Sequence, residues 1–126
     1  MLIDNFSKIL EEKIENNQVF TLIKINSEHP LFAGHFPGNP VTPGVLMIQI
    51  FKEQAERFSG KNLQLARASN IKFLTVIEPE TEAKVRLESE IEINGEQLEL
   101  SGKAIYEQSV SIKLKLTFKM LTDENS

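Results

Sequence analysis

Apolar and polar positions alternate most clearly near the end of the chain, where residues 110–118 read VSIKLKLTF. A period of two sends successive side chains to opposite faces of an extended chain, so this segment predicts a half-buried strand over 110–120. Looser patterns of the same kind predict strands over 63–77, 82–94 and 97–108. Turns are expected at Glu78-Pro79-Glu80, Asn94-Gly95 and Glu107-Gln108-Ser109. Asn-Gly between two alternating runs is the strongest short hairpin signal of the three. Nearer the start, QVFTLIKIN over 18–26 has the β-branched and aromatic content of a strand. Residues 6–15 fit helix or strand equally well. Asn16-Asn17 is a serviceable hairpin turn, which favours a strand pair there.

One segment has a different period. Val45 to Phe58 reads as a helix, with Pro43 suited to its first turn and Gly60 just past its end. From Val45 to Phe51 the only polar residue is Gln49, and a helix apolar on nearly every side must be surrounded. A sheet surrounds a single helix most simply by curling around it. The expected architecture is α+β, one long central helix wrapped by a curved antiparallel sheet of about six strands, which is the hotdog fold. With 126 residues and no repeat or linker, the chain is expected to form one domain over 1–126.

Composition narrows the function classes. Without cysteine, disulfides and thiolate metal sites are excluded, and no metal or cofactor is expected. No run approaches the roughly 18 apolar residues of a membrane span, and the N-terminus lacks a signal-peptide pattern. The expectation is a soluble cytoplasmic protein. A net charge of −4 argues against nucleic acid or an anionic membrane as the main partner. That sum hides a basic group, Lys52, Arg57, Lys61, Arg67 and Lys72, set against acidic residues crowding 78–99. These cations are either an ordinary mixed surface or a landing patch for an acidic partner.

The chemistry is concentrated in residues 29–49, HPLFAGHFPGNPVTPGVLMIQ, which hold both histidines, four of the five prolines and three of the six glycines. Proline presets φ and glycine permits positive φ, so such a loop is conformationally fixed more than flexible. It runs directly into the helix and can aim an imidazole at the helix N-terminus. His29, in Ser-Glu-His-Pro, reads as a strand exit with a structural role. The string from His35 to Leu46, HFPGNPVTPGVL, closely resembles the active-site signature of bacterial 3-hydroxyacyl-acyl-carrier-protein dehydratases, HFPGxPxxPGxL. These are hotdog enzymes of fatty-acid synthesis. His29 to Gly34 is similar to the family's lead-in, and Ala68 to Phe73 to its strand after the helix.

The resemblance implies a role for each matched position. Water is eliminated from a 3-hydroxyacyl thioester by a base that takes the C2 proton and an acid that protonates the departing hydroxyl. His35 takes the base position, a task suited to a group titrating near neutrality. Gly44 takes the position whose backbone N–H meets the thioester oxygen. Phe36, Gly38 and Val45 would line the substrate. The acid is carried on the helix of the other subunit, so the resemblance implies a homodimer or larger assembly. The partner it implies is acyl carrier protein bearing a phosphopantetheine-linked substrate, docked on the basic group above.

One position departs from the family. Where the family has Glu or Asp, this chain has Gln49, and an amide cannot deliver a proton. One turn later, where the family usually has Gln, stands Glu53. Residues i and i+4 share a helix face, so Glu53 could supply the acid from one turn deeper, with Gln49 orienting a water. Alternatively, Glu53 forms an i,i+4 ion pair with Arg57. A hotdog acyl thioesterase and a non-catalytic, acyl-binding or partner subunit are the competing functions.

Overall fold

The computed structural model describes residues 7–26, 44–74 and 84–121. Six strands and one helix follow in chain order. They are β1 (Ser7–Glu15), β2 (Gln18–Ile25), α1 (Gly44–Ser59), β3 (Leu63–Phe73), β4 (Lys84–Asn94), β5 (Gln97–Tyr106) and β6 (Ser109–Met120). The strands form a single sheet in the order β1-β2-β4-β5-β6-β3, antiparallel at every step. β2 lies near one edge and β3 forms the other. α1, which falls between them in the chain, packs over one face of the sheet. The hotdog arrangement follows from that packing.

The hairpin that residues 6–15 left ambiguous is present, with Asn16 in the left-handed region at φ 55°. The turn expected at Asn94-Gly95 sits one residue later. Asn94 still pairs with Gln97, and Gly95, at φ 62°, begins the two-residue loop. The β5–β6 loop is Glu107-Gln108, at φ 52° and 68°, while Ser109 already belongs to β6. Two positive φ values suit the twist of a tight hairpin, although neither residue is a glycine. The alternation of 110–118 also breaks once. A register shift between Ala104 and Ile105 leaves Ser111 buried beside Ile112. The expected Glu78-Pro79-Glu80 turn and strand residues 75–77 and 82–83 lie outside the described residues.

Every second residue of the central strands faces α1. Val19, Ile23 and Ile25, Val85, Leu87 and Ile91, Leu98 and Leu100, and Leu114, Leu116 and Phe118 are all buried there. From the helix they meet Leu46, Met47, Ile50, Phe51 and Ala55. Burying a side chain of the size of Phe51 or Met47 contributes about 1.5–3 kcal/mol. Ile48, half-buried, packs against the same core, while Gln49 and Glu53 remain half-buried on the helix. α1 ends at Gly60, whose φ of +70° lets its N–H close back on the Glu56 carbonyl at 2.8 Å.

Helix and sheet are closely packed at Gly102 of β5. A Cβ built there would lie 2.8 Å from Phe51 Cε1, 2.9 Å from Ser89 Oγ and 3.0 Å from Leu100 Cδ2. Gly102→Ala should therefore overpack the core and cost about 1–3 kcal/mol, read as a lower urea midpoint. An unchanged midpoint would mean that Phe51 can move aside freely.

Candidate active site

The first residue of α1 is Gly44, with Val45 next. The opening N–H groups of a helix lack intrahelical partners and sit at the positive end of its dipole, so this end presents donors. His35, Phe36 and Gly38 lie outside the described residues, as does His29. Gln49 and Glu53 are half-buried on the side of α1 turned away from the sheet core. The Gln49 amide donates from Nε2 to Glu53 Oε2 at 3.1 Å. A carboxylate and an amide one helical turn apart are thus joined into one polar unit. Together they can hold a water or hand on a proton, which an amide alone cannot do.

The alternative ion pair between Glu53 and Arg57 is not formed. Arg57 instead grips Glu12 of β1 in a two-pronged contact, Nε to Oε1 at 2.9 Å and Nη2 to Oε2 at 2.8 Å. The i,i+4 spacing allowed the helical pair, but a planar guanidinium gains more from a bidentate fork than from a single contact. The five cations proposed for docking also do not share one surface. Lys52, Arg57 and Lys61 belong to α1 and its C-terminal end. Lys72 lines a trough of about 630 Å³ whose charged walls, Glu88, Lys103, Lys113 and Lys115, stand on the outer sheet face, away from the helix. Arg67, opposite Thr117, shares that outer face. β3 has an apolar character of its own, with Leu65 at 40% and Phe73 at 62% exposure, and Leu74 just beyond it at 52%.

A second polar unit lies beneath the first, and the sequence reading did not single it out. Gln54 has no exposed surface. It accepts from Ser89 Oγ at 2.6 Å and donates from Nε2 to Thr21 Oγ1 at 2.8 Å. Thr21 in turn donates to Glu12 Oε2 at 2.6 Å, where Arg57 also bonds. The signal was available, because Gln54 falls at i+7 from Met47, within the stripe formed by Met47, Ile50, Phe51 and Ala55. A polar residue in an apolar stripe needs partners. Among the described residues no group of three or more His, Cys, Asp or Glu could hold a metal, and no helix is long and apolar enough to cross a membrane.

Comparison with known proteins agrees with this fold. The sequence model of the ApeI-like family, described as ApeI dehydratase, matches residues 11–113. The 3-hydroxyacyl-[acyl-carrier-protein] dehydratase FabZ of Lactobacillus helveticus is 35% identical across 76% of this chain and 68% of its own length. Its counterpart in Coxiella burnetii (strain RSA 331) is 29% identical across 82% of this chain and 80% of its own. For the FabZ of Pediococcus pentosaceus, at 38% identity, the chain spans only 48% of the relative's length. Among solved structures, a chain of the dehydratase heterocomplex ApeI:P from Xenorhabdus doucetiae superposes with a TM-score of 0.73 at 15% identity, covering 89% of this chain and 96% of that one. A hypothetical thioesterase with coenzyme A from Streptococcus pneumoniae follows the same fold, with a TM-score of 0.66 at 12% identity over 91% and 85% of the two chains.

Burial alone would push the Glu12 carboxyl upward, but the hydrogen bonds from Arg57 and Thr21 and the Arg57 charge outweigh it. Its pKa is held below the ordinary 4.5. A depressed folded value contributes stability that is present above pH 4.5 and is lost as pH falls through the lowered value. The urea midpoint should drop with acidification over that window, and Glu12→Gln should flatten the dependence. Parallel curves for the two proteins would mean that other carboxylates govern the acid limb.

Proposed function

The chain belongs to the ApeI-like dehydratase family, and from that membership we propose that it dehydrates 3-hydroxyacyl thioesters carried on acyl carrier protein to trans-2-enoyl thioesters. The setting is the synthesis of fatty acids or of related lipids and polyenes. His35 removes the C2 proton, and the Gly44 N–H receives the charge that gathers on the thioester oxygen. Glu53 delivers a proton to the departing hydroxyl, directly or through a water that the Gln49 amide orients. The observation that carries this reading is the Gln49–Glu53 hydrogen bond at 3.1 Å, since it ties a carboxyl to the position where the family keeps its acid.

The acid and base come from different subunits in this proposal, with Glu53 acting opposite His35 of the partner subunit. Two sheets joined along the exposed β3 edge would make the homodimer. The exposed Leu65, Phe73 and Leu74 support that choice of edge, because an unpaired strand with apolar side chains calls for a cover. Light scattering at micromolar concentration should report a dimer, and a monomer would remove the shared site. Carrier-protein docking falls to Lys52 and Lys61 at the helix, since the charge of Arg57 is already met by Glu12, and Arg67 and Lys72 stand on the outer sheet face.

Incubation with a 3-hydroxyacyl thioester should yield the enoyl chromophore. A free thiol would identify a thioesterase, and neither product an acyl-binding or partner subunit. Glu53→Gln should lower turnover by roughly 10²–10⁴ with substrate binding kept, and His35→Ala should abolish it. Gln49→Glu should hold or raise the rate. An inactive wild type activated by Gln49→Glu would show that the acid was lost and never replaced.

A further inference from the structure

We propose that Gln54 is a positioning residue, which fixes the rotation of α1 about its own axis and so the direction in which Gln49 and Glu53 are presented. The apolar contacts of Leu46, Met47, Ile50, Phe51 and Ala55 settle which side of the helix is buried. They are non-directional, however, and dispersion tolerates a small turn of the helix if the side chains repack. Hydrogen bonds do not. Gln54 reaches Thr21 on β2 at 2.8 Å and Ser89 on β4 at 2.6 Å, and these strands are neighbours in the sheet. Two bonds to adjacent strands define an angle, where one would leave a swivel.

The orientation of the Gln54 amide is fixed from further along. Ser89 donates to Gln54, Gln54 to Thr21, and Thr21 to Glu12, whose carboxylate is clasped by Arg57 from the same helix. Every donor points the same way, because the chain ends on a group that only accepts. An anchored anion on β1 therefore determines which end of the buried amide faces β2. Leucine would fill the volume of this position but would leave the buried Ser89 hydroxyl without its acceptor.

The geometry relates this lock to the site. Gln54 is set off by roughly 100° from Glu53 and roughly 140° from Gln49 around the helix. A turn of roughly 20° moves a tip about 6 Å from the axis through about 2 Å. Displacements of about 1 Å can cost about 10²-fold in rate.

The catalytic arm of the test rests on the dehydratase reading, and a second arm does not. Gln54→Leu should fold with a lowered melting temperature and leave KM unchanged, while kcat falls at least tenfold. Thr21→Val, which keeps the shape and loses the hydroxyl, should lower kcat in the same way, and Thr21→Ser should restore it. Because the chain has no cysteine, Gln49→Cys introduces a unique thiol, and its labelling rate reports the angle of the helix. That rate should change several-fold when Gln54→Leu or Thr21→Val is added, while a thiol at the exposed position Gln64 keeps its rate. A normal kcat in a folded Gln54→Leu variant, or an unchanged labelling rate, overturns the proposal. If the wild type turns over no 3-hydroxyacyl thioester, the dehydratase reading fails and the labelling rates alone decide the rotational lock. If Gln54→Leu does not fold, the Thr21 variants carry both arms.

Discussion

Among the described residues, a sheet of six strands shares one helix as the other half of its core, and that packing governs the arrangement around it. Among those residues, the inner faces of β2, β4, β5 and β6 bury against α1, which packs across them. The helix must also lie close, which explains a glycine at position 102 beneath Phe51. One helix face is consumed by this duty. The opposite face bears the half-buried Gln49 and Glu53.

The same helix therefore carries two polar units with different work. On the sheet side, Gln54 is satisfied on both ends by buried hydroxyls and makes the seat directional. On the other side, Gln49 and Glu53 satisfy each other and remain half-buried. The two glutamines stand five positions apart. Their environments differ because a helix turns by about 100° per residue, which is enough to carry one amide into the core and leave the other half-buried beside Glu53.

Much of the architecture was legible in the sequence because it rests on periodicity. The strand faces, the helix and its Gly60 stop, and the order of hairpins all follow from spacing and turn residues. Details that depend on register were not legible. Strict alternation over 110–118 gave no hint that a shift opposite Ala104 would bury Ser111. At the candidate site, the i,i+4 spacing of Gln49 and Glu53 brought them into contact as expected. The partner of Arg57 could not be read the same way. Glu12 lies 45 residues away in sequence, and only strand pairing brings β1 within reach of the helix. The basic residues after the helix likewise looked like one group until the sheet sent Lys72 to its outer face.

The close approach at Gly102 has a bearing on how relatives of this chain can diverge. With Phe51 Cε1 2.8 Å from where a Cβ would stand, the two positions share a single volume. A lineage that acquires a side chain at 102 must first trim the ring at 51, and one that fills 51 forfeits any change at 102. Substitutions at this pair should be strongly non-additive, each tolerated only in the background that the other has prepared. Drift in the core is then channelled through an ordered sequence of steps, while the solvated outer face remains free to change one residue at a time.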